Sequence, residues 1–180
     1  MGLFSKLKSS WSSAGAMVRA NELFNQKRYQ DAANLLEQAL QDDPSRTEAW
    51  TNLGNAYEKL DRLADAERAH KKGLESRPGD HLTWLNLGVV YGRMGRDSDE
   101  MACYDKCVQL NPDFYGGWMK LGLVHRKAGD HAQAVSAFKR ATELAPTNST
   151  LWILLSEDYH HMGQTALSEQ AFARGKQLRR

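Results

Sequence analysis

Three sets of side chains in this 180-residue sequence are spaced in ways that could serve chemistry. The first is cationic. Lys59, Arg93 and Lys127 stand 34 residues apart, and Arg126 adjoins the last of them. A line of such groups suits a ligand that carries carboxylates, although Lys and Arg are also favoured in the last turn of any helix by its dipole. The second set is Asn21, Asn52, Asn55 and Asn86, followed by Lys120. An amide side chain offers a donor and an acceptor together and can grip a peptide backbone whatever its sequence. The third set is Cys103 and Cys107 with six histidines. The cysteines lie one helical turn apart and read as buried thiols. Only His160 and His161 adjoin, and successive residues on a helix point about 100° apart, so they do not converge on one metal. The sequence has no phosphate loop, nucleophile elbow or paired-carboxylate motif. The expectation is a non-catalytic chain with no cofactor and no metal.

A scaffold that presents the same place every 34 residues is needed to align these groups, and the sequence supplies one. The stretch WTNLGNAY at Trp50–Tyr57 returns as WLNLGVVY at Trp84–Tyr91, WMKLGLVH at Trp118–His125 and WILLSEDY at Trp152–Tyr159. The only four prolines, Pro44, Pro78, Pro112 and Pro146, keep the same interval. Within each period the apolar residues recur at helical spacing, as Trp50, Leu53 and Tyr57 do. Gly95, Gly129 and Gly163, with Asp61 at the matching place, mark a helix C-terminus. A second helix follows and the proline stops it. Gly54, Gly88 and Gly122 let the paired helices approach closely, with large side chains filling the space on either side. Glu100, where a small residue is expected, and Ser156, in the place of the close-approach glycine, are the two misfits.

This pattern resembles the tetratricopeptide-repeat (TPR) family. The resemblance implies an all-α, right-handed superhelical solenoid of five helix-turn-helix hairpins over 13–46, 47–80, 81–114, 115–148 and 149–180. No hairpin can bury both faces alone, so each leans on its neighbour. The first hairpin is the most degenerate, as suits a terminal repeat. At the other end, Phe172 and Leu178 are expected to be partly uncovered. Residues 1–12 stand outside the repeat. As a helix, Leu3, Phe4, Leu7 and Trp11 would share an arc flanked by Lys6 and Lys8, and three readings remain open: a cap on the first repeat, a disordered tail, or a membrane-surface anchor.

The 24 basic and 22 acidic residues leave a net charge of +2, which Lys6 and Lys8 account for. Neutral repeats give no bulk drive toward nucleic acid. No apolar run approaches membrane-spanning length, and two cysteines agree with a reducing compartment, so a cytoplasmic address is expected.

The resemblance further implies that the first helix of each repeat lines a concave groove. Its groove-facing places hold Asn21, Asn52, Asn55, Lys59, Leu82, Leu85, Asn86, Val89, Arg93, Met119, Lys120, Leu123, Arg126, Lys127 and Ile153. An apolar floor beside a basic wall suits another protein, presenting an amphipathic helix or extended peptide with acidic and apolar residues. Two alternatives are carried with it. One is a structural subunit that self-assembles into a homo-oligomer through the last repeat. The other is a receptor for the carboxylate of a chaperone tail, for which Asn55, Asn86 and Lys120 fit, whereas Thr51 and Gly116 stand where the family's clamp has lysines.

Overall fold

The computed structural model describes residues 15–179. The leader readings for residues 1–12 lie outside them. The fold is all-α. Among the described residues the helices are α1 (15–25), α2 (Tyr29–Asp42), α3 (Thr47–Lys59), α4 (Leu63–Ser76), α5 (His81–Arg93), α6 (Asp97–Leu110), α7 (Tyr115–Lys127), α8 (His131–Leu144), α9 (Ser149–His161) and α10 (Thr165–Gln177). None of them is long and apolar enough to cross a membrane. The chain divides between Gly95 and Arg96 into two compact units.

The two rows of the sequence pattern are joined to each other. The indole N–H of Trp50, Trp84, Trp118 and Trp152 donates to the carbonyl of Pro44, Pro78, Pro112 and Pro146, at 2.9, 2.8, 2.8 and 2.9 Å. Each indole thereby ties its helix to the turn that precedes it, and all four rings are half-buried. Within the hairpins the first helix ends on a left-handed residue. Gly95, Gly129 and Gly163 have φ of 72°, 79° and 71°, while Lys27 and Asp61 adopt φ of 62° and 61° at the matching places. The next N–H then reaches back to the helix, as Arg62 does to the carbonyl of Tyr57 at 2.9 Å and Gln164 to that of Tyr159 at 2.9 Å. That closure satisfies carbonyls the helix end would otherwise leave unpaired.

In the first unit the core runs through Ala33, Leu36 and Leu40 of α2, Ala49, Leu53, Ala56 and Tyr57 of α3, and Ala66 and Ala69 of α4. A Cβ on Gly54 would lie 2.5 Å from the His70 ring, so the glycine of α3 is what admits a ring from α4. His70 is fully buried, and neither ring nitrogen has a hydrogen-bond partner. Burial pushes its pKa down to about 4, because a charged imidazolium cannot be solvated there. On the other side of α3, a groove of about 430 Å³ between α2 and α4 is floored by Trp50, Leu53 and Tyr57. Polar groups cross it: the Tyr57 hydroxyl donates to Glu37 at 2.5 Å, the Arg62 guanidinium lies 4.2 Å from the Tyr57 ring centroid, and Asp65 accepts from both Arg62 and Arg68. Burial and the Glu37 carboxylate push the Tyr57 hydroxyl up to about 12.

The second unit repeats the frame with other side chains. A Cβ on Gly122 would lie 2.6 Å from the buried Phe138 ring. Around it, Ala134, Val135, Phe138, Leu155, Tyr159 and Ala171 form the core. Of the two misfits of the pattern, Ser156 gains hydrogen bonds, whereas the buried Glu100 Oε2 has none and only a counter-ion. Ser156 donates to the carbonyl of Ser168 at 2.9 Å and Ser168 returns the bond to that of Ser156 at 2.9 Å, so α9 and α10 are pinned by hydroxyls where a glycine is the rule. The Glu100 carboxylate lies 3.6 Å from the Lys127 ammonium. At the last repeat, Phe172 is 47% exposed whereas Phe138, one period earlier, is 0% exposed. Lys176 reaches over the Phe172 ring at 5.4 Å from its centroid, so this end is dressed with a cation. Leu178 is half-buried.

Candidate partner-binding site

The asparagines are brought together. In the first unit Asn21 of α1 and Asn52 and Asn55 of α3 line a recess of about 180 Å³, with Ala20, Phe24, Ala32 and Leu36 as its apolar lining. The Asn52 side-chain amide donates to the Asn21 side-chain carbonyl at 3.0 Å. That bond orients both amides, leaves the Asn21 N–H₂ and the Asn52 carbonyl outside it, and links repeat one to repeat two. The recess exists because α1 and α3 present the same face of the pattern, and that face is amide on both. Asn86 is half-buried on α5, one repeat on from Asn52, and is not part of the recess lining. Leu82 is 46% exposed on the same helix, while Leu85 and Val89 are half-buried.

The cations expected to line a wall are mostly held by carboxylates of their own units. Arg93 donates to Glu58 at 2.8 Å and to Asp61 at 2.7 Å. Lys59 lies 3.1 Å from the neighbouring Glu58, and Lys127 donates to Asp97 at 2.5 Å. The Arg93 and Lys127 contacts tie one repeat to another, and all three lower what each cation can offer a guest, because an incoming acid must displace an internal one. Lys120 is different: it is half-buried, with no carboxylate partner among the described residues. Ionisation follows the same geometry. The Asp97 carboxylate raises the Lys127 pKa first of all, with Glu100 adding to it.

The apolar places of the second unit are partly internal. Met119 and Leu123 pack against the core cluster. Ile153 abuts α10 so closely that a Cβ on Gly175 would lie 2.7 Å from its Cδ1. The fifth place of the repeat thus faces the small residue on the second helix of its own hairpin. Thr51 occupies the same place in repeat two, 3.3 Å from a Cβ on Gly73.

Sequence reasoning passed over one polar cluster. Asp158 is fully buried in α9, where Ala56, Val90 and Val124 stand at the matching places. Arg126 donates to it through Nε at 2.9 Å and to Glu157 at 2.7 Å, and His131 Nδ1 lies 2.8 Å from its other oxygen. The His131 ring stacks on that of His161 with centroids 4.5 Å apart. Arg126, expected at the groove, instead reaches from α7 to α9 as the counter-ion of a buried carboxylate. The signal was an acid in an otherwise Ala/Val column, since a buried charge has to be paired. Cys103 and Cys107 are buried. Among the described residues no group of three or more His, Cys, Asp or Glu side chains is placed to hold a metal ion.

Comparison with known proteins agrees with this fold. Solved structures of the same fold include a crystal structure of MamA, 18% identical over 89% of this chain and 94% of that one, with a TM-score of 0.82. MamA 41-end from Desulfovibrio magneticus RS-1 is 15% identical over 93% and 95% of the two chains, with a TM-score of 0.83. The Pseudomonas aeruginosa pilF structure is 18% identical over 93% and 78%, with a TM-score of 0.82. At such identities these likenesses speak for the fold. No curated protein matches the chain in sequence. Family models described as tetratricopeptide repeat match residues 23–96, 82–114 and 115–148. With those matches running on from one to the next, and with the tryptophan, proline and left-handed positions in register, the chain belongs to the tetratricopeptide-repeat family of all-α solenoids.

Proposed function

We propose that this chain is a non-catalytic, cytoplasmic protein-interaction module that holds an extended segment of a partner protein at the asparagine recess of its first unit. Membership of the tetratricopeptide-repeat family supports an interaction or scaffold role in general terms. The observation that carries the finer reading is the Asn21–Asn52 hydrogen bond beside Asn55 at the mouth of an apolar recess. Fixed amides read a peptide backbone, and the apolar lining takes a side chain between them. Ordering an extended guest offsets much of this gain, so the expected affinity is on the order of micromolar. A chaperone-tail carboxylate is disfavoured as the guest. Thr51 shares a hydrogen bond of 2.8 Å with Thr83, and Gly116 is covered by the Phe114 ring, so neither clamp place offers a cation. Affinity capture with the wild-type chain and with Asn52→Ala/Asn55→Ala, read by mass spectrometry, tests the proposal. A partner retained equally by both would overturn it.

A second reading, self-association through the last hairpin, is favoured by the exposure of Phe172. Sedimentation at several concentrations separates the two readings: a monomer at every concentration removes self-association, and Phe172→Glu should abolish any dimer that forms.

A further inference from the structure

The groove between α8 and α10, floored by Trp152, Leu155 and Tyr159, has a volume of about 400 Å³, which lies within the range of about 300–1,000 Å³ common for ligand clefts. It is the counterpart, three repeats on, of the groove that Tyr57, Glu37, Arg62 and Asp65 cross in the first unit. Place by place the crossing groups have been exchanged. Lys139 stands for Glu37, Gln164 for Arg62, Leu167 for Asp65 and Gln170 for Arg68. The consequence is a groove of similar size that has lost the ion-paired crossing and gained a leucine at its rim. Leu167 is 43% exposed, at the place where the first unit has an ion-paired aspartate.

Two cations and one acid line this groove. Lys139 and Arg174 line it and have no carboxylate partner among the described residues, Arg174 donating only to Gln177 at 3.0 Å. The one acid on the lining, Glu143, is engaged by Arg140 at 3.1 Å. An aromatic and leucine floor with two uncommitted cations at its edge complements a large apolar side chain that has carboxylates beside it.

We propose that this groove of the second unit is a docking surface separate from the asparagine recess, and that its occupant is a partner-protein segment with one large apolar anchor flanked by Asp or Glu. The floor takes the anchor and excludes water from it, while Lys139 and Arg174 pair with the flanking acids. The cations set the salt dependence of binding and the floor supplies most of its strength.

A random peptide display library selected on the full chain, followed by fluorescence anisotropy of the selected peptides, tests this. The expected consensus is an apolar anchor next to acidic residues. Leu167→Asp and Lys139→Glu should each weaken binding about tenfold, a loss of roughly 1.4 kcal/mol, and Asn52→Ala/Asn55→Ala should leave it unchanged. Lys139 is exposed, so its variant decides the outcome if Leu167→Asp lowers the thermal melt. The proposal is overturned if no peptide is enriched, if the enriched peptides lack acids, or if their affinity ignores both groove variants. Peptides that respond only to the asparagine variants would uphold the first docking site and reject this one.

Discussion

Helices α2–α4 and α8–α10 are the same three-helix arrangement three periods apart, and they place their polar groups differently. In the first, the groove over Trp50, Leu53 and Tyr57 is crossed by Glu37, Arg62 and Asp65, the interior place on α3 is Ala56, and a neutral His70 fills the space above Gly54. In the second, the groove lacks those crossing groups, and polar groups lie inside: Asp158 in the place of Ala56, and Ser156, in the place of Gly54, bonded to Ser168, in the place of Ala66. The 34-residue frame therefore fixes the backbone, the indole-to-proline bonds and the left-handed turns. Where polarity goes is left to each hairpin, and with it where a guest can dock.

The sharpest way to break this comparison is at Asp158. Replacing it by Ala takes from His131 its acceptor and from Arg126 one of its two carboxylates, Glu157 remaining, and the expected loss is about 3–5 kcal/mol in a urea melt. The paired change Arg126→Met/Asp158→Val should restore most of that stability, because it gives α9 the apolar interior that α3 already has. A paired variant as weak as the single one would show that the carboxylate has a role that Ala56 does not mirror.

Next comes acid. His70 has its folded pKa pushed down to about 4 from an ordinary value of 6.5, so between those values the unfolded chain binds a proton that the folded chain refuses. Stability should be full above pH 6.5 and fall as the pH drops toward 4, by about 3 kcal/mol. His70→Phe copies the Gly122–Phe138 arrangement and should flatten this pH dependence while keeping the neutral-pH stability. A variant with the same acid sensitivity as wild type would move the cause elsewhere.

Smaller effects test the helix contacts. Gly122→Ala drives a methyl into the Phe138 ring and should cost about 1–3 kcal/mol by thermal melt. Ser156→Ala loses one of two reciprocal hydrogen bonds and should cost about 1 kcal/mol. Either variant melting at the wild-type temperature would show that its contact does not hold the hairpin together.

The repeat frame was legible because its signals are strict in spacing. Trp, Gly and Pro each do something at their place that few other residues can. The asparagine recess was legible in part, since amides at matching places on α1 and α3 have to face the same way. The engagement of the cations was not, because a Lys or Arg side chain is long enough to reach carboxylates elsewhere in its unit, and spacing alone does not say which acid it finds. Arg93 with Glu58 and Asp61, and Arg126 with Asp158, are of that kind. Ile153 was read as groove floor, yet the small residue at Gly175 draws it into its own hairpin. The uncrossed groove of the second unit becomes visible only when its four crossing places are set against those of the first, and no single repeat displays that difference.

The most direct test of partner binding at the recess is the NMR spectrum of the asparagine side-chain amides, recorded on the full chain as its captured partner segment is titrated in. The signals of Asn21, Asn52 and Asn55 should move together and saturate at one stoichiometry. Signals that stay in place while the partner binds elsewhere on the chain would contradict the assignment.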